Sequence, residues 1–345
     1  MGIKRIAKLA NVSIGTVDRV LHKRPGVSKE TEERVRKIIK ETGYTKNTTA
    51  SRLKLASVKK IKIAILIPES KNKKRWAYWK LPKDGIKKAV KELKEMGVEV
   101  DYYYFSDSKS FVVRNKEIFG ENYDAIVTVP FFKNASNDLL DLAKTKNIPV
   151  VFLDTKIDLD SPANFIRQNS YNAGMVAGRL LHGLVGNEGD YFIVNITIDK
   201  GIHANGKQRE DGFRAFFKSI NRNVNIRTIN HPVNVEFTIT KELEESFKRD
   251  TLKGIFVTNS RSHLIPQILK MHNINKTYVV GFDMNEKNLK CLQKNEIDFL
   301  INQKPDYQGY AAIKGLFNYL TKQDQSELNL DIPVEIIVKE NIPAL

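Results

Sequence analysis

"NVSIGTVDRVLHKRPGVS", residues 11–28, sets a serine cap ahead of a short periodic stretch and a Pro-Gly break behind it. On a wheel of about 100° per residue, Val17, Val20 and Leu21 gather in one arc. Ile14, Gly15, Asp18, Arg19 and His22 gather in the opposite arc. One side suits a core. The other is neither uniformly charged nor uniformly small.

Working outward, Ile3, Ile6, Ala7 and Ala10 repeat at helical spacing, and Asn11-Val12 makes a tight turn. Ser13 caps a second helix running to about His22. Pro25-Gly26 breaks the chain, and Ser28 caps a third helix with Val35, Ile38 and Ile39 inward. Gly43 ends it and Tyr44 closes the small core. Two helices across a short turn, the second with a polar outer face, describe a helix-turn-helix. In that reading Arg19 meets guanine O6 and N7, while Ser13 and Thr16 hold phosphate. The competing reading is a three-helix bundle with a solvated polar face.

The charge distribution favours the first reading. The 345-residue chain carries a net charge of +17, and residues 1–60 hold 16 Lys and Arg against 5 Asp and Glu. A basic amino-terminal unit thus precedes a larger, milder body, which points to a polyanionic partner. The length calls for more than one domain. The single cysteine, Cys291, excludes a disulfide framework and a cysteine metal site. The amino terminus lacks the apolar run of an export signal, and no stretch approaches the roughly 18 apolar residues of a membrane span. A cytoplasmic location is expected. Residues 47–60, "NTTASRLKLASVKK", have few apolar anchors and four basic residues, and read as a linker or a weak helix.

From Ile61 the period changes. "IKIAILIP", "VEVDYYYF", "YDAIVTVP", "IPVVFLDT", "GDYFIVNIT", "KGIFVTNS", "TYVVGFDM" and "FLINQ" are strand-like runs separated by helical stretches. That alternation predicts an α/β body of two doubly wound, parallel-sheet lobes with a cleft between them. Ligands in such folds sit beyond the carboxyl ends of strands. Those ends supply Phe131, Asp154, Gln168, Asn259, Phe282, Asp283, Asn302 and Gln303. Arg209 opens a helix after another strand, and Trp76, Tyr78 and Trp79 precede the first helix of the body. Carboxylates, amides and an arginine grip hydroxyl groups, and flat rings cover a sugar face. Each Asp or Asn has an alternative role as a helix cap.

Residues 3–44, "IKRIAKLANVSIGTVDRVLHKRPGVSKETEERVRKIIKETGY", resemble the headpiece of the lactose-repressor (LacI) family of bacterial regulators. The resemblance implies that Ile14, Gly15 and Arg19 face bases, with His22 nearby. Gly15 supplies no reader side chain. Asp18 stands where serine is usual, and either accepts from cytosine N4 or pairs with His22. Lys46 replaces the proline usual before Asn47. The resemblance also makes residues 47–60 a hinge helix formed on DNA, with Asn47, Ala50 and Leu53 at its contact positions and Leu53 as the wedge. Without it, Leu53 is a lone apolar residue in a linker.

Residues 61 to about 340 resemble the type I periplasmic sugar-binding fold of the same family, in its ribose- and galactose-binding branch. This implies effector contacts from Tyr78, Trp79, Asp154, Arg209, Asn259, Phe282, Asp283 and Gln303. Thr155 departs from the arginine usual after the first Asp, and Val129 from a common binding Asn. One lobe is expected at about 61–166 and 301–325, the other at about 167–300 and 326–345. The expected protein is a regulator, a repressor of carbohydrate-utilisation genes. It binds a pseudo-palindromic operator in double-stranded DNA as a homodimer, and a sugar-like effector in the cleft controls it. No cofactor or metal is expected, since the six histidines show no ligand spacing. The alternative, a carbohydrate-acting enzyme fused to a DNA-binding module, would rest on Asp154 and Asp283 as a carboxylate pair.

Overall fold

In the computed structural model the described residues are 3–21, 24–43, 59–69, 77–197, 204–232, 251–275 and 277–342. His22, Tyr44, Lys46, Asn47, Ala50, Leu53 and Trp76 lie outside them. Residues 1–59 form one unit and 60–345 another.

The first unit holds α1 (Ile3–Ala10), α2 (Ile14–Leu21) and α3 (Lys29–Thr42). Ile6, Ala7, Ala10, Val17, Val20 and Val35 are buried together, and Leu21, Ile38 and Ile39 pack against them. Asn11 takes φ 52° in the turn between the first two helices, and the N–H of Val12 reaches back to the carbonyl of Ala7 (3.0 Å). The Ser13 hydroxyl accepts from the N–H of Thr16 (3.0 Å), which satisfies a helix-end donor of α2. Ser28 caps α3 in the same way through Thr31 (3.3 Å), and Gly43 closes it at φ 60°.

The second unit contains, among its described residues, β1 (Ile61–Pro68), β2 (Val98–Phe105), β3 (Ala125–Thr128), β4 (Val150–Asp154), β5 (Asn164–Gln168), β6 (Asp190–Thr197), β7 (Asn225–Pro232), β8 (Lys253–Val257), β9 (Thr277–Phe282), β10 (Phe299–Asn302), β11 (Leu330–Ile332) and β12 (Glu335–Ile337). The helices are α4 (Lys80–Leu93), α5 (Ser108–Gly120), α6 (Lys133–Thr145), α7 (Ser170–Val185), α8 (Ala204–Ser219), α9 (Leu264–Met271), α10 (Glu286–Gln293) and α11 (Pro305–Lys322). Two six-stranded sheets result, ordered β11-β5-β4-β3-β1-β2 and β12-β10-β9-β8-β6-β7. All neighbours run parallel except β10 and β12, which are antiparallel. Helices on both faces explain why β1 is apolar almost throughout. Only Lys62 of that strand is exposed.

The chain passes between the sheets after β5, after β10 and again between β11 and β12. The last passage lies later than the boundary expected near residue 325. β11 pairs with β5 in register Leu330↔Ile166, and Leu328 and Ile332 are buried in the core of the first lobe, which holds the segment there.

The crossings also exchange helices. α11, after β10, packs on α4, and α7, after β5, packs on α8. Both pairs touch backbone to backbone. A Cβ on Gly85 would lie 1.7 Å from the Asp306 carbonyl oxygen, and one on Gly309 would lie 2.1 Å from that of Pro82. In the other pair, a Cβ on Gly174 would lie 2.0 Å from the Arg209 oxygen, and one on Gly212 would lie 1.9 Å from that of Tyr171. No side chain fits at these four positions without moving a helix.

Candidate functional site

Between the sheets, strand ends from both lobes converge on a buried polar cluster. Asp154 ends β4 and Asp283 follows β9. Their φ angles are 71° and 68°, a left-handed conformation that Asp and Asn adopt more readily than other residues with a Cβ. This turns each carboxylate away from its strand path.

Around Asp154, the Tyr78 hydroxyl donates to Oδ1 (2.6 Å). Thr155 Oγ1 (2.9 Å) and Asn205 Nδ2 (3.4 Å) donate to Oδ2. The backbone N–H of Asp154 donates to Gln308 Oε1 (3.0 Å), and Gln308 Nε2 donates to the Gln303 carbonyl (3.1 Å). Asn205 sits on α8 of the second lobe, so its bond crosses the cleft. Gln208 makes a second crossing bond, to the carbonyl of Lys156 (3.0 Å).

Around Asp283, Gln303 Nε2 donates to Oδ1 (2.8 Å). Arg209 donates through Nη2 to Gln303 Oε1 and through Nη1 to the Thr258 carbonyl (2.6 Å). Its guanidinium lies over the Phe282 ring, 3.8 Å from the centroid, a cation–π contact. Arg209 is 2% exposed, and its Nε has no hydrogen-bond partner. Burial, with a contribution from Asp154, pushes the Asp283 carboxyl up to about 6, although Arg209 and the Gln303 bond oppose the shift. Burial, Asp154 and Asp283 hold the Tyr78 hydroxyl well above its ordinary range.

Trp79 is buried and stands edge-on to Tyr78 and Phe131, at 5.3 and 5.7 Å between ring centroids. Asn259 is engaged locally, and this is the cap-like alternative of the sequence reading. Its amide donates to the Ile196 carbonyl (2.7 Å), and its oxygen accepts from the Arg261 N–H (3.2 Å). The structure therefore brings together Tyr78, Asp154, Arg209, Phe282, Asp283 and Gln303, with Trp79 and Phe131 as an aromatic flank. Sequence reasoning missed Gln308, Thr258 and Asn205. For Asn205 a signal existed, because it lies in the first turn of the helix that follows β6.

On α2, Ser13, Ile14, Gly15 and Arg19 are exposed, with Ile14 at 45%, while Thr16 and Asp18 are half-buried. Asp18 Oδ2 accepts from Arg24 (3.4 Å), a partner that the sequence reading did not name. An apolar side chain held out on a capped helix, beside an exposed arginine, leaves this face open for contact.

Residues 64–324 match the model of the periplasmic binding protein domain, and residues 2–47 match that of the bacterial regulatory proteins of the lacI family. The chain is 24% identical to the ribose operon repressor of Halalkalibacterium halodurans, over 98% of this chain and 96% of that protein. It is 44% identical over 68 residues to catabolite control protein B of Bacillus subtilis, a match that spans 20% of this chain and about a fifth (21%) of that relative's length. Among solved structures, a Bacteroides fragilis protein assigned to the LacI transcriptional regulators aligns with TM-score 0.72 and 26% identity, covering 82% of this chain and 98% of that one. The body, built on two sheets that the chain crosses between three times, thus belongs to the periplasmic binding protein domain family, and it follows an amino-terminal segment that matches the lacI family of bacterial regulatory proteins.

Proposed function

We propose that the protein is a DNA-binding transcriptional repressor whose grip on its operator is set by a small sugar-like molecule held between the two lobes. The observation that carries this reading is the polar cluster itself. Asn205 and Gln208 from one lobe bond to Asp154 and Lys156 of the other through the residues a ligand would touch. A ligand that replaces or reinforces these bonds favours one lobe angle, and that difference in affinity is what moves the equilibrium. The relation to a ribose operon repressor supports a carbohydrate effector.

In this reading Ser13 and Thr16 hold phosphate, and Ile14, Gly15, Asp18 and Arg19 face base edges in the major groove. Two headpieces in a homodimer read the two halves of a pseudo-palindrome. His22, Asn47, Ala50 and Leu53 belong to the same proposed interface. The repressor acts in the cytoplasm, where its DNA lies.

The test begins with selection from a random-sequence duplex pool. A defined pseudo-palindromic site should emerge, and Arg19→Ala should weaken binding to it by about 1–3 kcal/mol and relax the preference at one base. Recovery of no preferred sequence would sink the DNA-binding reading. A selected site bound equally well by the Arg19→Ala protein would remove Arg19 alone from the readout.

A further inference from the structure

Two carboxyl groups and one guanidinium share the buried cluster, and their hydrogen-bond inventory is uneven. Both oxygens of Asp154 are engaged. Asp283 is bonded only at Oδ1, and among the described residues nothing donates to its Oδ2. Arg209 gives one N–H of each Nη group to a neutral acceptor, and its buried Nε has no partner at all. Among the described residues the charged groups facing Asp283 are Arg209, from α8, and Asp154, from the end of β4. Thr155, next to Asp154, is neutral, as is Tyr78 across the cleft, so neither adds a cation.

These facts restrict the ligand. A carboxylate or phosphate binds arginine best through a two-pronged fork, and both Nη groups of Arg209 already hold a neutral oxygen that it would have to share. An anion here would also meet two carboxyl groups. A neutral polyol could donate to Asp283 but would leave the cluster with one guanidinium against two carboxyl groups.

We propose that the cleft selects a singly protonated amino sugar, with its ammonium group on Asp283 Oδ2 and a neighbouring hydroxyl or ring oxygen accepting from Arg209 Nε. This rests on the cleft being the effector site. A pH dependence follows. The ammonium needs an ionised Asp283, whose carboxyl titrates at about 6, so affinity falls as pH drops through that value. A neutral parent sugar lacks this dependence.

The experiment uses the full chain in isothermal titration near neutral pH. The probes are D-glucosamine, D-galactosamine and D-mannosamine, their parent hexoses, their N-acetyl derivatives and D-glucuronate. One amino sugar should bind at least about tenfold more tightly than its parent and its N-acetyl derivative, and should lose most of that advantage at about pH 5. Asp283→Asn should level the amino sugar with its parent. If that variant does not fold, the wild-type pH titration still decides. Equal or tighter binding of the parent hexose or of glucuronate overturns the proposal, as does an amino-sugar affinity indifferent to pH, or no binding of any amino sugar. The effector reading is scored separately, by operator binding with and without whichever probe binds. A neutral hexose that alters operator affinity overturns the amino-sugar proposal and leaves the repressor reading standing.

Discussion

The two sheets have the same strand order, with β4 in one where β9 stands in the other. Each of these strands runs into an aspartate with φ near 70°. The surroundings then diverge. In "VVFLDT" the residue after the aspartate is Thr155, which donates to Asp154. In "VVGFDM" it is Met284, which has no hydroxyl to give. Asp154 receives bonds from Tyr78, Thr155 and Asn205, whereas Asp283 receives one from Gln303. One backbone device, used twice, therefore yields a satisfied carboxylate in the first lobe and a half-open one in the second. The helix pairs repeat the correspondence. Gly85 and Gly309 in one lobe answer to Gly212 and Gly174 in the other, and each glycine faces a carbonyl oxygen three residues before its counterpart on the opposing helix.

The largest expected effect tests that repetition. Gly85→Ala and Gly212→Ala should each destabilise the protein by about 3 kcal/mol, because the new Cβ meets backbone and not a movable side chain. Denaturant unfolding measures this. Tolerance of alanine in only one lobe would break the equivalence of the helix pairs.

The next effect has opposite signs at equivalent positions. Asp283 has a folded-state pKa raised to about 6, above its ordinary range, so its ionisation works against folding. That cost is present in full above about pH 6 and fades as pH falls toward the ordinary carboxylate value of about 4. Asp283→Asn should therefore stabilise the ligand-free protein by roughly 2 kcal/mol at neutral pH and by nothing near pH 4. Asp154→Asn should instead destabilise by about 1–2 kcal/mol, since an amide NH₂ would face the Thr155 hydroxyl and the Asn205 amide where an oxygen now accepts from both. Thermal melts of both variants across this pH range decide it, and shifts of the same sign would erase the contrast.

The smallest effect sharpens it. Tyr78→Phe removes one of several donors to Asp154 and should cost about 1 kcal/mol, with no change in the pH dependence assigned to Asp283. A melt that also changes its acid limb would mean that the two carboxyl groups are coupled through Tyr78.

Much of this was legible in the chain itself, for a physical reason. Central parallel strands are covered on both faces, so β1, β4, β6, β8 and β9 read as continuous apolar runs. Of the four edge strands only β2 read as a strand. β7, "NIRTINHP", has one isoleucine on each side among mostly polar residues, while β11 and β12 have three residues each, too short for any period to show. The boundary between the lobes was misplaced near residue 325 for that reason. In the site, Asp154, Arg209, Asp283 and Gln303 stood out as polar groups at or beyond strand ends. Gln308 did not, because its part depends on how α11 meets the first sheet, and that is set by the glycine contacts with α4. Asn259 fitted the pattern equally well, yet its hydrogen bonds go to the local backbone.

The left-handed backbone at residues 154 and 283 has an evolutionary corollary. Beta-branched and bulky residues are strained at such angles, while aspartate, asparagine and glycine are accommodated. Aspartate and asparagine codons differ by one base. A descendant of this gene can thus exchange a negative charge on the cleft floor for a neutral amide in one mutational step, with the strand ends and the lobes left as they are. Ligand charge preference is then heritable separately from the architecture, and it can drift in a lineage faster than the fold that presents it.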